Sequence, residues 1–329
     1  MVVEASRHYG GPLAFPIRMV NATLSSQAQV RHANRILVAL AFLAIYVIWG
    51  STYLAILYAI ETIPPLFTAG FRHLIAGSVL LVWGWSRGKR PTLAQWRASL
   101  IIGFLFFLIG HGTLHWAEQT VPSGIAALLI ATEPIFVALL IAVTATKRVP
   151  DKSIVGGLIL GLAGVAVLIR PDPAHARGSV PGTLAVLLGA LSWSAGIVYS
   201  RRSHLAGDPL MMSTLSLLSG AGMLIATGIL LGEARGFALA AVSTRSWMGL
   251  LYLIVFGSIV AFTAYNWLLE RFSATLVSTH TYVNPIVALV LGWGFAGERL
   301  DLSLLLATAL VISAIFLVHR GLDASSSPA

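Results

Sequence analysis

Cysteine is absent from the 329 residues, and charge is scarce: Asp, Glu, Lys and Arg together make up 10% of the chain, against about 25% in an ordinary soluble domain. The first absence excludes a disulfide framework, a thiol nucleophile and any cysteine-ligated metal. The second, taken with 57% hydrophobic residues and a mean hydropathy of +0.86, excludes a soluble globular chain. No Gly-rich phosphate loop, dinucleotide fingerprint or nucleophile elbow stands in a matching context, which argues against ATP-driven pumping within the chain. Residues 1–34 contain Gly10, Gly11, Pro12 and Pro16 but no sustained apolar run. They are expected to form a disordered cytoplasmic tail rather than a cleavable signal peptide, and a start at either Met1 or Met19 leaves the whole helical bundle in the chain.

What is present is a near-continuous series of apolar runs, each long enough to cross about 30 Å of hydrocarbon as a helix. Five fall at residues 36–60, 65–85, 98–116, 122–143 and 153–169. Five more fall at 182–199, 209–231, 247–269, 273–295 and 302–318. Short connections carrying charge, Pro or Gly separate them. The expected fold is an all-α integral membrane protein of ten transmembrane helices.

Basic residues resist translocation and collect on the cytoplasmic side. Alternate connections hold Arg31, Arg35, Arg87, Lys89, Arg90, Arg97, Lys147, Arg148, Lys152, Arg201, Arg202, Arg271 and Arg320. The opposite set holds only Arg170, Arg177, Arg235, Arg245 and Arg299. The asymmetry puts both termini in the cytoplasm, and it accounts for the net charge of +9 without a nucleic-acid partner, which would need a clustered soluble basic face.

The two halves read as copies. A shift of 151 residues takes Trp116 to Trp267, Pro134 to Pro285, His115 to Asn266 and Glu133 to Asn284, and Ile48-Trp49-Gly50-Ser51 is answered by Leu191-Ser192-Trp193-Ser194. With five spans in each half, the copies must be inverted relative to each other. Secondary transporters use this arrangement, with a solute site near the midplane between the repeats.

The segments Ile48-Trp49-Gly50-Ser51-Thr52-Tyr53, Ala69-Gly70-Phe71-Arg72, Val121-Pro122-Ser123-Gly124-Ile125-Ala126-Ala127, Phe256-Gly257-Ser258-Ile259, Tyr282-Val283-Asn284-Pro285 and Gly297-Glu298-Arg299-Leu300 resemble the EamA-type exporters of the drug/metabolite transporter superfamily, the YedA-like exporters most closely. The resemblance implies two inverted EamA repeats at residues 35–171 and 180–320, followed by a cytoplasmic tail at 321–329. It also implies export of metabolites, amino acids or drugs from a bacterial inner membrane, through a cavity walled by helices one, three, four, six, eight and nine. One departure stands out. The Gly-Glu-Arg-like end expected after the fourth helix of each repeat reads Thr146-Lys147-Arg148 in the first, so a role for that acid is limited to Glu298.

Ionisable groups at bilayer depth cost about 2.5 kcal/mol or more and tend to face a cavity or a partner. Trp49, His111, His115, Glu133, Trp193, Asn266, His280 and Asn284 are the candidate substrate-binding residues. Glu118, Glu133 and Arg72 are the candidates for proton coupling or counter-charge, with Arg72 a partner for Glu118 or Glu133. His111, His115 and Glu118 share one helix face by their spacing. That stripe fits a cavity wall, a hydrogen-bonded seam between helices or part of a metal site; the last lacks the further ligands a metal needs, and no metal or cofactor is assigned. Glu133-Pro134 and Asn284-Pro285 are expected to kink helices four and nine, as matched hinges or as packing kinks. Gly156, Gly157, Gly161 and Gly164 give helix five a small-residue face for contact within the bundle or between two subunits, so monomer and homodimer are both open. The expected partners are a small-molecule solute, the lipid bilayer and, where transport is proton-coupled, protons. An importer or nucleotide-sugar carrier of the same fold, an intramembrane metal enzyme and a non-transporting sensor are the rival readings.

Overall fold

The computed structural model describes residues 35–146, 152–169, 179–202, 208–272 and 274–326. The expected tail at 1–34 and the basic residues Lys147, Arg148, Arg170 and Arg177 lie outside them. Every described element is helical: α1 (Arg35–Ala59), α2 (Pro65–Ser86), α3 (Leu93–Ala117), α4 (Ser123–Thr144), α5 (Lys152–Ile169), α6 (Val180–Arg202), α7 (Pro209–Leu230), α8 (Thr244–Leu269), α9 (His280–Ala296) and α10 (Leu302–Ser326). All except α5 and α9 are long and apolar enough to cross a membrane, giving eight such helices among the described residues. α9 is shorter than its apolar run because the chain turns at Ser278 and Thr279, leaving the short helix Ala274–Val277 before it.

The helix starts obey ordinary capping chemistry. α3 begins earlier than its apolar run because Thr92 and Gln95 form a reciprocal capping box. Pro occupies the first turn of α2 and α7, where its missing N–H costs nothing. Large apolar side chains such as Leu37 and Leu40 on α1 and Ile159 and Leu162 on α5 point outward, as lipid-facing residues do. Trp83, Trp85 and Trp96 are exposed near one end of the bundle and Trp247 near the other, and Arg87 and Arg90 lie over the rings of Trp83 and Trp85.

Packing pairs the two halves helix by helix. α2 lies along α7 and α5 along α10, while α1 packs against α8 and α9, and α6 against α3 and α4. The first helix of each half thus serves the third and fourth helices of the other. The small-residue face of α5 is used inside the bundle: a Cβ on Gly157 would meet Ala314 O at 2.8 Å, and one on Gly164 would meet Val311 Cγ2 at 2.8 Å, both on α10.

Both ends of the described chain emerge at the same end of the bundle, where Phe42 packs on Phe272 and Gly321 on Ile154. At the opposite end one large core joins Ile56, Ile63, Phe67, Val121, Leu128, Leu250 and Leu289. Toward the terminus-bearing end the core separates into smaller clusters, one around Ile135, Ala138 and Val318, another around Ile45, Leu268 and Val277, a third around Ile102 and Met212.

Gly157→Ala should lower thermal stability in detergent by about 1–3 kcal/mol, because the stiff β-branched Val318 at 2.7 Å and the Ala314 carbonyl at 2.8 Å both stand in the way. Gly156→Ala, whose nearest neighbour would be Leu317 at 3.7 Å, should leave the melting temperature near wild type. At the terminus-bearing end, burial raises the Asp208 carboxyl, but Lys89 and the amides of Met211 and Leu210 outweigh it and hold the group below the usual carboxylate range. Its stabilisation is therefore present at neutral pH and lost as pH falls through that lowered value. Asp208→Asn keeps an N-cap acceptor, so its cost should stay below about 1 kcal/mol and the acid-dependent part of the melting curve should shrink.

Candidate functional site

A helix in lipid must satisfy every backbone acceptor internally, and four helices here contain widened π turns: Ala44–Ile48 in α1, Ala142–Thr146 at the end of α4, Gly103–His111 in α3 and Leu253–Val260 in α8. The last two stand at corresponding places in the two halves. Side chains from the other half meet the exposed carbonyls. Trp49 Nε1 donates to Gly257 O at 3.1 Å, and Ser192 Oγ donates to Leu105 O at 2.8 Å. The Asn284 amide, oriented with its nitrogen toward α1, reaches Ile45 O at 3.2 Å, Tyr46 O at 3.0 Å and its own helix's His280 O at 3.1 Å.

Two aromatic groups form around these bonds. In the first, Trp49 packs 5.1 Å from Tyr265 and 5.0 Å from His280, which bonds back to Val277 O. Tyr46 joins it through a 2.6 Å bond to Thr279. In the second, Trp193 stacks on Phe106 at 4.3 Å and on His111 at 5.1 Å. His111 in turn meets His73 of α2 at 2.7 Å between Nδ1 and Nε2.

Glu133 begins the second segment of α4, immediately after the helix is interrupted at Ala131 and Thr132. Its carbonyl accepts from Ser194 Oγ at 3.1 Å, beside Trp193, and its side chain is half-buried. The expected kink at Pro134 therefore appears as a break in the helix. The matching break near α9 differs: it falls at Ser278 and Thr279, and Pro285 lies inside a continuous helix, where Asn284 ties it to α1.

The remaining candidates are more deeply placed. His115 is fully buried, with Nδ1 bonded to His111 O at 2.7 Å and Nε2 without a partner. Glu118 is 2% exposed and neither carboxylate oxygen has a hydrogen-bond donor. Arg72 is 5% exposed and donates through Nε to Ser258 Oγ at 2.8 Å. Arg72 and Glu118 are within electrostatic reach of each other, but among the described residues Arg72 makes no direct ion pair with Glu118 or Glu133. Asn266 is half-buried on α8, and its carbonyl holds the end of that helix by accepting from Glu270 N at 3.2 Å. Among the described residues no group of three or more His, Asp or Glu side chains is arranged to hold a metal ion.

The arrangement is that of a helix bundle whose two halves meet at aromatic and polar side chains. The EamA-like transporter family matches the chain twice, over residues 36–170 and again over 180–320. The chain belongs to that family. It is 36% identical over 283 residues to the inner membrane transporter YedA of Escherichia coli (strain K12), covering 85% of this chain and 90% of YedA. It is 27% identical to the transporter YoaV of Bacillus subtilis (strain 168), over 85% and 96% of the two chains. A crystal structure sharing 22% identity superposes with a TM-score of 0.59 over 89% of this chain and all of its own, which shows the common helical fold.

Sequence reasoning missed several members of the two groups. Phe106 reads as one apolar residue among many in Phe104-Leu105-Phe106-Phe107, and only the widened turn explains why it faces Trp193. Ser258, the partner of Arg72, lies within Phe256-Gly257-Ser258-Ile259, a segment whose resemblance was already a signal. Tyr53, buried on α1 within electrostatic reach of Arg72, Glu118 and Glu133, had only its place in such a segment to mark it. Asn284→Leu removes the donor for two α1 carbonyls without changing side-chain size, and should lower stability in detergent by about 1–3 kcal/mol. An unshifted melting curve would show that those carbonyls do not depend on it.

Proposed function

We propose that this membrane transporter is a secondary exporter of small organic solutes, metabolites, amino acids or drugs, in a bacterial inner membrane. In this reading ten helices form two inverted five-helix repeats, the solute site lies between them near the midplane, and transport proceeds by alternating access. The observation that carries it is the exchange of first helices: Trp49 and Trp193 hold matched places in the two halves, and each packs on the widened third helix of the other half. Rocking one half against the other would rearrange both aromatic groups at once.

The proposed solute site comprises Trp49, Tyr265, His280 and Asn284 on one side, and Trp193, His111 and Glu133 on the other. Aromatic faces suit apolar or aromatic solutes, and a half-buried carboxylate at the helix break suits a proton or a polar group of the solute. His115 and Asn266 lie behind these surfaces as supports. The basic residues gathered at the terminus-bearing end, among them Arg87, Lys89, Arg90 and Arg271, support a cytoplasmic placement of both termini.

The test is flux. Proteoliposomes loaded with a pool of radiolabelled amino acids and small aromatic compounds should show specific transport that rises with an imposed pH gradient. Glu133→Gln should purify as folded protein and lose about 100-fold or more of the gradient-driven part, the range for a missing proton-transfer group. Gradient-dependent flux that survives the substitution would remove Glu133 from the coupling step, and no flux for any compound would overturn the transport mechanism.

A further inference from the structure

The end of the bundle opposite the chain termini is fastened by a carboxylate clasp. α9 ends at Gly297, whose φ of +68° turns the chain back in a conformation that L side chains rarely adopt. Glu298 N then returns to Gly292 O at 3.0 Å. The turn delivers the Glu298 side chain to the start of α4, where Oε1 accepts from Ser123 N at 2.6 Å and Ser123 Oγ at 2.7 Å, and Oε2 accepts from Gly124 N at 3.0 Å. Two glycines make room for it. A Cβ on Gly124 would lie 3.2 Å from Oε2, and one on Gly292 would overlap the carboxylate. An anion at a helix N-terminus is held by free N–H groups and the helix dipole together, so the clasp joins the second half to the first through charge as well as hydrogen bonds.

Five residues before Ser123, at the end of α3, lies Glu118, buried with both oxygens unpartnered. A carboxylate left so is costly when ionised, and it is near enough to Glu298 for the two negative charges to repel. The other titratable groups within its electrostatic reach are Tyr53 on α1 and Arg72 on α2; the neighbouring helices also carry His73 on α2, His115 on its own helix and Glu133 on α4. α7 carries no titratable side chain, and within its apolar span α6 carries only Tyr199, at the other end of the helix.

We infer that Glu118 is a proton-binding site that governs this clasp: with the proton bound Glu298 stays on Ser123 and Gly124, and with the proton gone repulsion releases Glu298 and that end of the bundle opens. The inference rests on the alternating-access reading and deepens it. The proton-loaded protein is closed at the end opposite the termini, so the proton leaves from the terminus-bearing side before the other end can open with solute. Solute out is then exchanged for proton in. The position that matches Glu298 in the first half is Lys147, whose side chain offers no acceptor to a backbone N–H, so the device belongs to one end only.

The absence of native cysteine makes the test direct. Gln119→Cys and Arg299→Cys, spin-labelled in the full chain, report the distance across the clasp in proteoliposomes from acidic to alkaline pH. The expected result is a short distance at low pH with a longer population growing as pH rises. Glu118→Gln, neutral at every pH, should abolish that shift and keep the short distance. Glu118→Asp should restore a pH-dependent shift, and Glu298→Gln should show the long population throughout. A pH-dependent opening that persists in Glu118→Gln overturns the inference, as does a clasp that stays short in Glu298→Gln. The distance is read without solute, so a clasp that opens as described in a protein with no flux would sink the transport mechanism and leave the clasp standing. Gradient-driven flux with a pH-independent distance would do the reverse.

Discussion

Lipid offers a backbone carbonyl nothing to bond to, and this requirement organises the bundle. A regular α-helix meets it alone. α1, α3, α4 and α8 do not remain regular, and carbonyls at or beside their irregular turns take a side-chain donor from the other half: Trp49 for Gly257, Ser192 for Leu105, Ser194 for Glu133, and Asn284 for Ile45 and Tyr46. Every one of these bonds crosses from one half to the other. An unsatisfied buried acceptor costs about 1–3 kcal/mol, so the halves are held in register at the places where their helices are imperfect.

The same places collect the chemistry. A widened turn changes the direction of the side chains after it, which is how Phe106 comes to stack on Trp193 and how His111 reaches both Trp193 and His73. It also makes contacts that can be exchanged, because a carbonyl freed from its own ladder can be served by more than one donor. Irregular backbone at membrane depth is tolerated where it is buried in protein or lines a cavity, and the widened turns of α1, α3 and α8 lie at the seam between the two halves.

Much of the helical scaffold was legible in the sequence because apolar length and the terminal Pro, Thr and Gly residues are local signals. Trp49 and Trp193 were legible as a pair because Ile48-Trp49-Gly50-Ser51 and Leu191-Ser192-Trp193-Ser194 stand early in the two halves, although the 151-residue offset itself does not map one Trp onto the other. Their partners were not. A π turn leaves no mark in an apolar run such as Gly103–His111, and the side chains that complete it come from about 90 or 200 residues away. Pro285 shows the limit of a local rule: the break moved to Ser278 and Thr279, and the Asn284 amide tied the helix to α1 ahead of the Pro. Arg72 shows another. Its depth suggested a carboxylate partner, yet it bonds a hydroxyl on α8 and meets Glu118 only through space. The Glu298 clasp joins residues 175 positions apart, and nothing near Ser123 announces it.

The halves share a backbone plan but not a charge plan. Under the 151-residue shift, His111 falls on Phe262, His115 on Asn266, Glu118 on Leu269 and Glu133 on Asn284. At these four places the first half carries titratable groups, and the second carries neutral polar residues at two and apolar ones at the others. A symmetric inverted pair would expose equivalent chemistry to either side of the membrane and would have no intrinsic reason to prefer one direction of exchange. Placing these ionisable residues in one copy breaks that equivalence at the matched positions while leaving the packing of α1 on α8 and of α6 on α3 intact. Protonation can then bias one conformation relative to the other without any change in the scaffold, because a ligand shifts an equilibrium only through its differential interaction with the two states. In the proposed exchange the duplicated fold would supply the two conformations, and the unequal distribution of charge the difference between them.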